Sequence, residues 1–466
     1  MVRVVFAGAH LGYDPNTTPL GGGAQVGLHL IRRWAVTRPV DLVVLGSGPD
    51  LGIPGVAYEQ VPWRVPGHKG PITDLSVRGY AQLSRQFERG VTSWLRAHAS
   101  KLDPQETVVL HNDIAEAGDF AEIHRLGFRQ AAIFHVDVVD YTAQIYLRRL
   151  VSAPPLAKAF RALRTLGIDR LLPDVARLIF AKQEACARFC ELLIVPSTAM
   201  AHILRRSYPY RKEENVAVVP WGAITAQEPP GVGPRVAELR EKYGVNGRPV
   251  VLTLSRISPE KGQDLVLRAL ALWEKHERES FVVLICGAPA YMHGQSYMRR
   301  LRKLAQKLKK VEVHFPGYVT GLEKHAHLAL ADLYVFPSWH ESYGLTLMEA
   351  LAAGLPVLTT PHRSAGELVK PSFGRVVEAS PTGLYFGLRE LLGRREELPR
   401  MGQEARRFAQ ARPFSQAADA LPHRLGELVR PTRGELSKQA ETMIKRARAE
   451  VDILQKAGHI APPPKV

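Results

Sequence analysis

Cysteine is scarce, with Cys186, Cys190 and Cys286 the only three in 466 residues. That excludes a disulfide framework, and without a second Cys pair it excludes a zinc cluster. Cys186 and Cys190 stand four apart on a predicted helix, where small buried hydrophobes are the expected role. A reducing cytoplasm is the expected compartment. No apolar run approaches the length of a membrane span. The opening MVRVVFAGAHLG has too short an apolar run for a signal peptide and reads as a buried first strand. Also missing is a Gly-x-Gly-x-x-Gly directly after a strand: FAGAHLGYD and LSRISPEKG both fail that pattern, which argues against a dinucleotide-dependent oxidoreductase. Negative charge is in short supply, 45 Asp and Glu against 62 Lys and Arg, a formal charge of +17. Such a surface attracts nucleic acid, anionic lipid and phosphorylated substrates alike. A nucleic-acid module, or basic residues interleaved with aromatics on one face, is absent, so nucleic acid is not an expected partner.

What is present is the material of a globular α/β protein. The chain is 45% hydrophobic and 23% charged, and long enough to split into two cores. Short β-branched runs alternate with amphipathic stretches twice over. The first half offers VRVVFAG, DLVVLG, TVVLHN, QAAIFHVD, LLIVPS and VAVVPWG; the second offers PVVLTLSRI, SFVVLICG, VEVHFPG, DLYVFPS, LPVLTT and GRVVEAS. Most are continuously apolar, as buried parallel strands are. The expectation is two doubly wound, Rossmann-like sheets facing each other across a cleft. The first domain is placed at 1–222 and the second at 223–412, with AITAQEPPGVGP as linker. A crossover helix at 413–431 packs back on the first domain, and 432–466 reads as a charged helical tail with a disordered end. Residues from about Tyr141 to Arg188 break the rhythm with a strandless helical stretch carrying Arg148, Arg149, Lys158, Arg161 and Arg164. It is either an interfacial, acceptor-binding insertion or a solvated basic helix pair covering the first sheet.

Ligands of doubly wound sheets bind beyond the carboxyl ends of the strands. In the second half those positions hold SRISPEKG, with Arg256 and Lys261, then Gly287, Gly317, and SWHESYG with Glu341. Glycines and cations at strand ends suit a phosphate-bearing ligand. The next helix, GLTLMEALAAG, is apolar on nearly all sides and therefore predicted buried. Glu349 lies inside it and needs a partner. Either an internal salt bridge or the diol of a ribose would serve. The start of that helix, near Tyr343 and Gly344, aims free N–H groups at a diphosphate.

Glu341 and Glu349, set in PSWHESYGLTLMEALAAGLPVL, resemble the paired-glutamate motif of the family 4 retaining glycosyltransferases with the GT-B fold. SRISPEKG resembles that family's Arg and Lys pair, VVPWGAI its hinge strand, and GGGAQVGLHL its glycine loop. The resemblance implies a nucleotide-sugar donor, UDP-, GDP- or ADP-linked. Its ribose would be held by Glu349, its diphosphate by Arg256 and Lys261, and its sugar by Glu341. Gly22, Gly23, Gly287, Val319, Ser342, Tyr343, Gly344 and Leu345 would complete the donor site. IFHVD matches the position where the family places a histidine beside the reacting sugar. This makes His135 a catalytic candidate, with Asp137 and His111 weaker candidates on the acceptor side.

The family also implies retention at the anomeric carbon. Charge builds on the departing diphosphate, so its electrostatic stabilisation is the main task. No Asp-x-Asp occurs anywhere in the chain, so catalysis is expected to need no metal and no cofactor beyond the donor. The acceptor is left open among lipid-linked, saccharide and small-molecule classes. The basic insertion leans toward an anionic membrane surface, hence a peripheral position at the inner face of the cell membrane. A sugar-nucleotide epimerase on the same fold is the alternative; a phosphorylase would need a pyridoxal phosphate lysine that is not found.

Overall fold

A computed structural model of the chain describes residues 1–68, 70, 72–224, 228–290 and 293–429. The expected tail at 432–466 lies outside them.

Thirteen strands among these residues form two all-parallel sheets. The first contains β1 (Arg3–Ala7), β2 (Asp41–Gly46), β3 (Ala57–Gln60), β4 (Thr107–His111), β5 (Arg129–Ile133), β6 (Leu192–Val195) and β7 (Val216–Val218), in the order β3-β2-β1-β4-β5-β6-β7. The second contains β8 (Val250–Leu254), β9 (Val282–Cys286), β10 (Glu312–Gly317), β11 (Leu333–Phe336), β12 (Val357–Thr359) and β13 (Gly374–Val376), in the order β10-β9-β8-β11-β12-β13. Each order reverses once, between β1 and β4 and between β8 and β11. These are the two switch points where loops diverge and leave a crevice. The central strands are largely apolar because helices cover both faces; β4, β8 and β9 are buried at every position. Twelve strands coincide with the apolar runs read from the sequence. The exception, β3, is AYEQ, an edge strand in which only Tyr58 is partly buried, so it leaves no apolar signature.

The chain passes between the sheets twice, and the passages run side by side. Ala223 bridges Pro413 in parallel, with Ala223 N–H donating to Arg412 O at 2.8 Å and Phe414 N–H to Ala223 O at 2.9 Å. Gly222 has φ 69°, and a Cβ there would lie 2.2 Å from Arg412 O, so only glycine fits this crossing. The helix Phe414–Val429 then returns to the first domain. Trp34 donates its indole N–H to Ala418 O at 2.8 Å, and Arg33 pairs with Asp419. The linker is shorter than expected, because Val232, Gly233 and Pro234 already belong to the helix Val232–Lys242.

The strandless stretch holds the helices Ala153–Thr165 and Asp174–Phe189. Ala157, Phe160, Phe180 and Cys186 pack in one core with Ala132, Leu193 and Val195 of the sheet. This pair therefore covers the first sheet, and its polar face is solvated. All three cysteines are buried and free.

Candidate active site

Arg256 and Lys261 follow β8; Glu341 follows β11. The loops on both sides of the second sheet's switch point thus supply the charged groups. Lys261 Nζ makes a close ion pair with Glu341 Oε1, and the side chains are 12% and 15% exposed. Burial pushes the Glu341 carboxyl up, but Lys261 more than offsets it and the net shift is downward. Arg256 lies 3.8 Å from Glu260. Gly287, after β9, has φ 147°, and a Cβ there would fall 1.8 Å from Ser255 O. Its glycine lets the β8 and β9 loops touch.

The helix Leu345–Ala353 begins after Gly344 in a left-handed conformation and has no side-chain cap. Its first-turn N–H groups are thus free to bind an anion. The side chains around it divide their roles. Ser342 Oγ is buried with no hydrogen-bond partner. Tyr343 points the other way, accepting the Gly222 N–H at 2.8 Å, so its hydroxyl serves the domain crossing. Glu349 takes the salt-bridge alternative through one oxygen, with Lys324 Nζ 2.8 Å from Oε1. Val319 is buried, and its neighbour Tyr318 reaches across the cleft to donate to Pro15 O at 2.6 Å.

The glycine loop faces this helix from the first domain. It opens the helix Gly22–Thr37, which starts without a side-chain cap. A Cβ on Gly22 would lie 3.2 Å from Leu345 Cδ1, so two uncapped helix starts meet across the cleft. A Cβ on Gly23 would come within 2.7 Å of the His135 ring. His135 Nε2 lies 3.2 Å from Asn112 Oδ1, and Asn112 Nδ2 donates to Gly23 O at 3.2 Å. Burial lowers the His135 pKa to about 4, leaving a neutral imidazole.

The weaker acceptor candidates, His111 and Asp137, are buried. His111 is fully buried, bonded to Gln130 at 3.1 Å and set edge-on to Phe120. Asp137 caps the helix Val138–Tyr141 through the N–H groups of Val139 and Asp140, and it accepts from Gln183. His111 turns inward because a strand-end residue and the residue after it point to opposite faces, whereas Asp137 is held by the helix start it caps. Asn112, one place beyond His111, carries the contact with His135.

Groups that sequence reasoning missed complete the cleft. Asp140 takes a two-pronged ion pair from Arg363 of the other domain, at 2.6 and 2.9 Å, with His340 at 3.6 Å. Burial raises the Asp140 carboxyl, but bonds from His340 and Arg363 bring it down to about 2. Glu367 accepts from Thr198 N and Ala199 N, capping a first-domain helix from the second domain. His10, beyond β1, holds Glu116 at 2.7 Å. Among the described residues no cluster of three or more His, Cys, Asp or Glu could hold a metal.

Residues 236–408 match the family model described as glycosyl transferases group 1. The matched residues lie within the second domain. Among curated relatives, the chain is similar to a GDP-mannose-dependent alpha-(1-6)-phosphatidylinositol monomannoside mannosyltransferase of Mycolicibacterium smegmatis, 30% identical over 223 residues, 46% of this chain and 50% of that protein. It also resembles an alpha-monoglucosyldiacylglycerol synthase of Streptococcus pneumoniae, 30% identical over 206 residues, 43% of each chain. The chain spans about half the length of the curated relatives it matches. Over nearly its whole length it superposes on solved structures: Anabaena HepE in complex with UDP and glucose, at TM-score 0.61 and 18% identity, covers 91% of this chain and 99% of that one. Sucrose-phosphate synthase from Thermosynechococcus elongatus gives TM-score 0.65 at 18% identity, covering 95% and 100%. The two-sheet architecture is the GT-B fold. Among the described residues no helix is long and apolar enough to cross a membrane.

Proposed function

We propose that the chain moves a sugar from a UDP-, GDP- or ADP-linked donor to a lipid-linked, saccharide or small-molecule acceptor, with retention and without a metal. The observation that carries this reading is the meeting of two charged switch-point loops with an opposed glycine loop. Arg256, Lys261 and Glu341 come from one sheet, and the Gly22–Gly23 loop and His135 from the other. Breaking the anomeric C–O bond leaves negative charge on a diphosphate and positive charge on the sugar ring. Two cations and an uncapped helix start are arranged for the first, in a site closed by both domains. The neutral His135 is suited to accept a hydrogen bond from a sugar hydroxyl, and Glu341, steadied by Lys261, to hold the sugar. No carboxylate is placed as an obvious nucleophile, which favours front-face attack with the donor phosphate taking the acceptor proton.

The relatives' names, a phosphatidylinositol mannoside and a diacylglycerol among their substrates, support a lipid-linked acceptor. So does the surface of the helical stretch, where Leu150 and Leu171 are more than 80% exposed beside Arg148 and Arg170. Hydrolysis measured without acceptor across UDP-, GDP- and ADP-sugars tests the central reading. One donor turning over slowly is the expected outcome; no hydrolysis of any, with no thermal protection by UDP, GDP or ADP, refutes it. Flotation with anionic liposomes tests the surface.

A further inference from the structure

A polar cavity of about 330 Å³ lies between the domains, away from the helix start that faces the glycine loop. Asp140, Gln144, Arg149 and Ser152 line it from the first domain, His362 and Arg363 from the second. Its size is at the lower end of the roughly 300–1,000 Å³ typical of small-molecule sites. We infer that this cavity receives the phosphorylated polyol part of the acceptor, a sugar phosphate or the phosphorylated headgroup of a lipid, with Arg149 as its anion contact. The inference rests on the transferase reading and names the substrate class.

The charges decide the class. Arg363 is matched by Asp140 in the two-pronged pair, so those two cancel. Burial brings the His362 pKa down to about 4, so it adds no charge at neutral pH. Among the described residues Arg149 is left as the charge of the lining without an acidic partner, held by a 3.4 Å bond to Trp339 O. The helix Ala153–Thr165 starts at the same wall, but Pro154 and Pro155 remove two of its N–H groups. A guanidinium must then supply the anion's hydrogen bonds. Its placement is held at a cost: Arg148 and Arg149 both have positive φ, 46° and 64°, a strained conformation for non-glycine residues. Strain at two consecutive arginines, the second of them lining the cavity, points to a functional constraint.

The remaining lining suits hydroxyls. Ser364 Oγ donates to Tyr343 O at 2.7 Å, so at 3.1 Å it receives the N–H of His362 Nδ1. That fixes the tautomer with a lone pair on Nε2, which is buried and has no partner. Gln144 donates to Asp140 at 3.2 and 3.3 Å and keeps its carbonyl oxygen available. The cavity also adjoins the reacting end of the site, since His362 lies within electrostatic reach of Glu341 and Lys261. An acceptor seated there would present a hydroxyl toward the donor sugar.

Calorimetry of the full chain with glucose 6-phosphate, mannose 6-phosphate and inositol 1-phosphate, against glucose and inorganic phosphate, tests the inference. At least one sugar phosphate should bind more tightly than either control. Arg149→Gln should weaken it about 10-fold or more, with Arg149→Lys recovering part of the loss. Arg149 is a surface side chain, and an unchanged melting temperature confirms that the variants fold. Sedimentation with phosphatidylinositol vesicles separates the sources: binding that Arg149→Gln abolishes, with no response to the soluble phosphates, assigns the lipid headgroup. If neither soluble phosphates nor vesicles bind, or if Arg149→Gln binds them as the parent does, the inference falls. Donor hydrolysis by the parent protein without acceptor is scored separately, so a chain that hydrolyses donor but ignores both phosphate sources overturns the cavity assignment alone.

Discussion

Lys324 and Glu349, on neighbouring helices of the second domain, form an ion pair of 2.8 Å that uses only one carboxylate oxygen. The two readings of Glu349 are therefore compatible. Oε1 takes the lysine, and Oε2, which carries no protein hydrogen bond among the described residues, is left for a ribose hydroxyl. Without Lys324 the carboxylate would be half-buried and unpaired, and that is more costly than losing both charges.

The expected order follows from this. Lys324→Met should destabilise the protein by about 1–3 kcal/mol in urea denaturation, the range being set by partial exposure of the pair. Glu349→Gln should cost less stability but raise the donor KM about tenfold, having lost its charge-assisted bond to the ribose. A larger stability loss from Glu349→Gln than from Lys324→Met would make the carboxylate purely structural.

Arg256 and Lys261 carry the leaving-group charge in the proposed reaction. Arg256→Ala and Lys261→Ala should each lower kcat by roughly 10²–10³, the typical cost of removing one transition-state donor. Near-normal turnover in both variants would sink the assignment. Lys261→Ala should show an additional loss because it frees the buried Glu341 carboxylate, so its kcat effect should shrink when Glu341→Gln is added, whereas that of Arg256→Ala should not.

Gly23 is a steric gate for His135. Ala at that position would set its Cβ against the ring and push His135 off Asn112, whereas Ala at Gly22 meets only the flexible end of Leu345 at 3.2 Å. Gly23→Ala should cut transfer by about tenfold or more while Gly22→Ala is milder, measured as kcat at saturating donor. Equal effects would show that the loop, and not the imidazole's position, governs the rate.

Much of this was legible because buried parallel strands write themselves as apolar runs, and the loops at their carboxyl ends then mark the crevice. Arg256, Lys261 and Glu341 were chosen by that logic, and the structure brings them to the loops on both sides of the second sheet's switch point. The failures have physical causes as well. Edge strand β3 turns only Tyr58 toward the core, too little to write an apolar run. His111 was a weaker acceptor-side candidate because it ends a strand, yet strand alternation turns it inward, and Asn112 beside it makes the contact with His135. Tyr343 was placed with the donor for the N–H groups of the helix start it adjoins, and its hydroxyl has a further role at the chain crossing that no local pattern announces. Asp140 with Arg363 is 223 residues apart in sequence and joins two domains, so no local pattern announces it.

Buried neutral histidines should make the protein acid-sensitive. His29, His111, His135 and His362 are each lowered from 6.5 to about 4, all chiefly by burial. A depressed histidine is neutral in the folded chain while the unfolded chain takes up protons near 6.5. The stability it contributes is therefore complete above pH 6.5 and is lost as pH falls toward 4. The melting temperature should drop by about 5 °C or more between pH 7 and pH 5.5. By the same reasoning His135 stays neutral through the working range, so kcat/KM should show no limb between pH 5.5 and 8 that disappears in His135→Gln. A limb near pH 6.5 abolished by that substitution would mean that His135 is protonated in the cleft and acts as an acid, contrary to the role derived for it.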